Sequence, residues 1–209
     1  MNTLPEPRLP SEWDAAALDA LAAFPGGRDF VLSNWPDGDA RGRNILGMLV
    51  NHPGLAKAFL TFNNHVVAAS TLSRRARELA ILRISWLRRS EYEFTQHLIL
   101  GRRAGLDDEE LTRIQDGAVG PWAPADAALL RAVDELHWQA AISAATRIRL
   151  AEHFDARQMM DLLFTVGCYD ILAMLAASFE IGLENGVEPL AATTLARMHA
   201  QAARDLPET

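Results

Sequence analysis

Apolar residues along this chain recur at spacings of three and four, the period of helices with one buried face. The densest stretch, Leu79-Ala80-Ile81-Leu82-Arg83-Ile84-Ser85-Trp86-Leu87, is apolar on every side. It reads as a helix buried nearly all round, covering 74–88 and capped by Ser73. Ser90 opens a second helix over 91–104, and Gly105 is suited to close it. A tight turn between the two would lay them side by side.

The same period predicts the remaining elements. A helix over 14–23 is capped by Ser11 and stopped by Pro25-Gly26-Gly27. A loop through Trp35-Pro36-Asp37-Gly38 leads to a short helix over 45–50, and Pro53 fits the first turn of the next, roughly 54–69. Leu106 and the acids Asp107 to Glu110 start another. A helix over 125–140 turns Leu129, Leu130, Val133 and Leu136 inward. Ser143 caps a short helix, Asp155 caps a long one from 157 to about 183, and 190–204 forms a weaker one. No stretch alternates as a strand does, so the expected class is all-α. The expected organisation is an N-terminal arm and helical extension over 1–49, a helical core over 50–185 and a C-terminal helix over 186–209.

Composition narrows the function. The 209 residues are 49% apolar and 22% charged, enough for a sizeable core. The net charge of −7 argues against non-specific binding to nucleic acid or anionic membrane. The single cysteine, Cys168, excludes an internal disulfide, and its apolar surroundings suit an inert core thiol. Met1 to Pro7 lacks the basic-then-apolar order of a signal peptide, and no uncharged run reaches the ~18 residues of a membrane span. A cytoplasmic protein is expected.

Candidate chemistry sits at the junction of the two central helices. At 100° per residue, Ser90, Glu93, Phe94, His97, Gly101 and Ala104 share an arc of about 100°. Glu91, Tyr92, Thr95, Gln96, Arg102 and Arg103 take the other side. The apolar half therefore carries Glu93 and His97, at a cost of several kcal/mol unless they are paired. Two explanations stand. Ser90 and Glu93 have the spacing of a capping box, and Glu93 and His97 that of a local ion pair. Alternatively Glu78, Glu93 and His97 form an acid/base cluster, in which burial raises the carboxylate pKa values and a neighbouring carboxylate raises that of His97. No H-x-x-x-H or E-x-x-H pair supports a metal site, and Ser90 lies in no G-x-S-x-G elbow. His65 reads as a packing or surface residue. The arginines Arg74, Arg75, Arg77, Arg83, Arg88 and Arg89 could hold a carboxylate substrate, but they scatter round the helix as surface or interface residues do.

Arg77-Glu78-Leu79-Ala80-Ile81-Leu82, Tyr92-Glu93-Phe94-x-x-His97 and Ala104-Gly105-Leu106 together resemble the carboxymuconolactone decarboxylase family, within the alkylhydroperoxidase D-like superfamily. The match spans roughly 50–115, with a looser one over Leu129 to Leu136 and Val166 to Tyr169. The resemblance implies an alkylhydroperoxidase D-like helical bundle. In the peroxidase branch a glutamate and a histidine flank a C-x-x-C pair. Here Glu78 and His97 match those two, while Ser90 and Glu93 occupy the cysteine positions, so dithiol chemistry is not expected. The decarboxylase branch implies proton transfer without a cofactor on a small organic acid or lactone. Glu93 and His97 would be the acid/base pair, Glu78 would tune His97, and Ser90 would bind substrate. It also implies homo-oligomers, commonly trimers or hexamers. A non-catalytic oligomeric binding protein and an antioxidant protein without the dithiol are the alternatives.

Overall fold

The computed structural model describes residues 4–36 and 41–200. Asp37 and Gly38 of the expected loop, and the end of the last helix at Arg204, lie outside them. The described residues form eleven α-helices and no strand. They are α1 Ala15–Leu21, α2 Pro25–Asn34, α3 Arg43–Leu49, α4 Pro53–Asn64, α5 Arg74–Leu87, α6 Glu91–Arg103, α7 Asp108–Arg113, α8 Pro124–Gln139, α9 Ala144–Ala151, α10 Ala156–Ser178 and α11 Ala192–Ala200.

The chain divides into two compact units, Met1–Ser70 with Met174–Glu188, and Thr71–Ala173 with Pro189–Thr209. The expected boundaries at 49/50 and 185/186 both fall inside the first unit. There α1 packs on α4, burying Ala17, Ala20 and Leu21 with Ala56 and Leu60. Glu184 accepts the Asn44 N–H at 2.9 Å, and the Asn44 side chain donates to the Gly182 carbonyl at 2.8 Å. The N-cap of α1 is Asp14, which accepts the Ala17 N–H at 2.9 Å, and not Ser11, which lies in a preceding 3-10 turn. Pro25 does not stop a helix but starts α2, because a first-turn position needs no N–H. The helix expected over 54–69 is α4 followed by a wider π-helical turn, His65–Ala69, with His65 exposed.

The second unit is built round α5. Glu78 through Leu87 are all buried, as the apolar run requires, and α5 packs against both α6 and α8. Ser73 and Ser143 cap α5 and α9 as expected. Asp155 accepts the Gln158 N–H at 2.9 Å ahead of α10, which ends at Ser178 rather than near 183. Asp107 and Glu110 form a reciprocal capping box at α7. By length and composition α10 could cross a membrane. However, Leu162, Val166, Cys168 and Tyr169 are buried, and Asp161 accepts the Thr71 N–H at 2.5 Å.

The arginines near α5 are more than surface charge. Arg75 pairs with Glu110 and Asp126, and Arg88 pairs with Asp170. Arg83 is 5% exposed. Its Nε donates to Asp134 at 2.6 Å and its Nη1 to the Ile114 and Gln115 carbonyls at 2.9 Å each. It thereby ties α5 to α8 and to the 3-10 turn Ile114–Asp116. Arg83→Met would strand these acceptors, so denaturant unfolding should show a loss of about 3–5 kcal/mol.

Candidate active site

The turn between α5 and α6 fixes the site. Arg89 adopts a left-handed conformation, φ 57°. Its N–H bonds to the Trp86 carbonyl at 3.0 Å, and the Ser90 N–H to the Ser85 carbonyl at 2.9 Å. Ser90, buried, accepts the Glu93 N–H on Oγ at 3.4 Å. Because the Ser90 N–H is already bonded to Ser85, only half of the expected capping box forms. The Glu93 carboxylate is not spent on the cap.

The reversal brings Glu78, early in α5, to His97, two turns into α6. Glu78 Oε2 lies 2.7 Å from His97 Nδ1, and Glu93 Oε2 lies 3.8 Å from His97 Nε2. Glu78 and Glu93 are each 4% exposed and His97 7%. Arg77 Nε approaches the other Glu78 oxygen at 3.6 Å. Packing locks the surroundings, with Phe94 against Trp86 at a centroid distance of 5.3 Å. The helical wheel was too simple here. Tyr92, Thr95 and Gln96, placed on the polar side, are buried too, because the first half of α6 is enclosed on every side.

The electrostatics correct one expectation. Burial does push the Glu78 carboxyl up, but the charge and hydrogen bond of His97, with help from Arg77, outweigh it and hold Glu78 below the usual carboxylate range. Burial pushes His97 down, and the charge and hydrogen bond of Glu78, joined by Glu93, reverse that and leave it raised. Both directions describe one state, a buried carboxylate–imidazolium pair. Glu78 fixes the ring through Nδ1, so Nε2 is the nitrogen free to exchange a proton next to Glu93.

Tyr169, on α10, is the residue that sequence reasoning missed. Its ring meets His97 edge-on, with centroids 4.8 Å apart and planes at 89°. Burial, then the charges of Glu93 and Glu78, raise its phenol well above the ordinary value, so it stays neutral. The only signal was the Val166 to Tyr169 segment, which gave no hint of a contact with α6. Among the described residues no His, Cys, Asp and Glu side chains group as a metal centre would need.

With the geometry in place, comparison with known proteins becomes informative. Residues 53–135, which contain Glu78, Ser90, Glu93 and His97, match the Carboxymuconolactone decarboxylase family. The likeness to this family covers that segment, less than half of the chain. No curated protein matches the chain. Among solved structures, an uncharacterized peroxidase-related protein from Silicibacter sp. is 19% identical, with 90% of this chain and 97% of that one covered at a TM-score of 0.68. The debrominase Bmp8 in complex with 2,3,4-tribromopyrrole is 16% identical, with 95% and 98% covered at 0.69. A protein of unknown function from Agrobacterium tumefaciens, described as a candidate antioxidant defence protein AhpD, is 21% identical, with 63% and 92% covered at 0.59. At these identities the likeness shows the all-helical, alkylhydroperoxidase D-like fold and nothing about the reaction.

The pair makes stability pH-dependent with a definite sign. The raised His97 contributes stability that is full below its ordinary 6.5 and lost as pH rises through its raised value. The lowered Glu78 contributes stability that is full above 4.5 and lost as pH falls through its lowered value. The joint contribution is therefore greatest between those limits. Urea midpoints across pH 4 to about 9 should fall on both flanks in the native chain and flatten in Glu78→Gln, whereas parallel curves would contradict the pairing.

Proposed function

We propose that this protein is a cofactor-free acid/base enzyme acting on a small carboxylated lactone or a related intermediate of aromatic breakdown. One observation carries the reading. A buried imidazole is fixed by Glu78 at 2.7 Å through Nδ1, and its other nitrogen faces a second buried carboxylate at 3.8 Å. The second carboxylate lies beside the ring nitrogen that Glu78 leaves open, which supports proton exchange there.

In a decarboxylation, the bond between the substrate carbon and its carboxylate breaks, carbon dioxide leaves, and the electron pair stays on the carbon as an enolate. His97 Nε2–H gives that carbon a proton, and the neutral imidazole regains one from water. Glu78 keeps the imidazolium stable until the transfer. Glu93 guides the proton on the Nε2 side, and Ser90 at the turn offers a hydroxyl to the substrate. General acid–base help of this kind is worth ~10²–10⁴-fold in rate. The same machinery would serve an isomerisation, with Glu93 removing a proton that His97 returns elsewhere.

The antioxidant alternative has less support. Ser90 and Glu93 stand where a dithiol would be needed, and Cys168 is fully buried on α10. In this reading the enzyme works in the cytoplasm as a homo-oligomer, a trimer or hexamer. Met160, Leu163, Phe164 and Ile171 of α10 support that assembly. They are exposed on one face around Gly167, at spacings that suit contact with a second copy.

The test is turnover of carboxylated lactones by the native chain, His97→Gln and Glu93→Gln, with circular dichroism to check folding. Each variant should lose ~10²-fold or more in kcat while remaining helical. Folded variants with undiminished turnover would remove the assignment. Variants that lose only melting temperature, in a native chain without turnover, would favour a non-catalytic binding protein.

A further inference from the structure

A second feature of the Thr71–Ala173 unit has no part in the acid/base chemistry. On α8, Pro124, Ala127, Ala128 and Arg131 are three or four residues apart and share a face. Thr146 and Arg149 on α9, with His153 just past its C-terminal end, line the other side. The two sides flank a half-open hollow of about 390 Å³, in which Arg131 and Arg149 are exposed. It exists because α8 turns alanines towards it, while Leu129, Leu130 and Val133 fill the core on the opposite side. The volume lies in the range of small-ligand sites.

The charges in this hollow are unbalanced. Arg131 and Arg149 both line it, and neither forms an ion pair among the described residues, whereas Arg75, Arg83 and Arg88 are each matched to a carboxylate. Glu135 is close enough to sense Arg131. Its oxygens, however, are taken by the Ser143 N–H at 2.7 Å, the Ser143 hydroxyl at 3.0 Å and the Thr146 hydroxyl at 2.7 Å. Glu152 is the one carboxylate in the lining, against two guanidinium groups. The hollow also opens at the first turn of α8, a 16-residue helix whose positive end adds to the field. Guanidinium forks bind planar or tetrahedral oxyanions through paired N–H bonds.

We propose that this hollow is a binding site for a small dianion, a dicarboxylate or a phosphate, held between Arg131 and Arg149. The site shares no residue with Glu78, Ser90, Glu93, His97 or Tyr169, and the proposal stands whatever reaction those residues perform.

Isothermal titration of the full chain at low salt tests it, with succinate and inorganic phosphate as the probes and acetate as a monoanion control. One or both dianions should bind one per chain, and acetate at least about tenfold more weakly. Arg131→Gln and Arg149→Gln should each weaken the dianion about tenfold or more, while Arg131→Lys retains part of the affinity. Arg103→Gln, an exposed charge on α6, should leave binding unchanged. Binding of succinate alone or phosphate alone would identify the anion within the class. No binding of either dianion, binding that survives loss of both Arg131 and Arg149, or equal weakening by Arg103→Gln would overturn the proposal.

Discussion

A 2.7 Å hydrogen bond between two buried groups, Glu78 and His97, sets the conditions for the rest of this site. Either group alone in an apolar interior would shed its charge or destabilise the fold by several kcal/mol. Together they hold one another charged, with Arg77 as a further positive neighbour of the carboxylate. Their partners lie 19 residues apart in sequence, so the arrangement depends on the turn at Arg88-Arg89-Ser90 folding α6 back along α5. The capping of Ser90, the left-handed Arg89 and the Trp86–Phe94 contact all serve that reversal.

The charged groups packed round α5 divide by partner. Arg83 is satisfied by Asp134 and two carbonyls, and Arg75 by Glu110 and Asp126. Guanidinium groups keep their protons at any ordinary pH, and these networks hold helices together. At His97 the group between two carboxylates is one that can titrate, and a neutral phenol ring stands against it. In the proposed reaction that titratable ring carries the proton, whereas the guanidinium networks give rigidity. The segment similar to the Carboxymuconolactone decarboxylase family contains the α5–α6 pair in full.

Much of this was legible from sequence where a local rule was sufficient. Ser73, Ser143 and Asp155 announced their helices, and the apolar run from Leu79 announced a helix buried all round. Local rules failed where two answers were chemically open. Proline can end one helix or begin the next, and Pro25 begins α2. Ser11 and Asp14 can both cap, and the carboxylate at 14 wins. Glu93 was visible as an inward residue, but whether the cap would consume it depended on where the Ser90 N–H bonded. Tyr169 lies 72 residues beyond His97 on another helix, and no periodicity within either helix connects them. The pKa of Glu78 was misjudged for a related reason. Burial alone raises a carboxyl, and only the 2.7 Å contact decides that the partner outweighs it.

The central claim is that His97 is an imidazolium held by Glu78 at neutral pH. The most direct measurement is ¹⁵N NMR of the histidine rings at pH 7, with the signals of His97, one of six histidines, assigned by their absence in His97→Gln. The structure predicts protons on both ring nitrogens, with the Nδ1 proton strongly hydrogen-bonded and slow to exchange. A neutral ring with a bare Nε2 at that pH would contradict it.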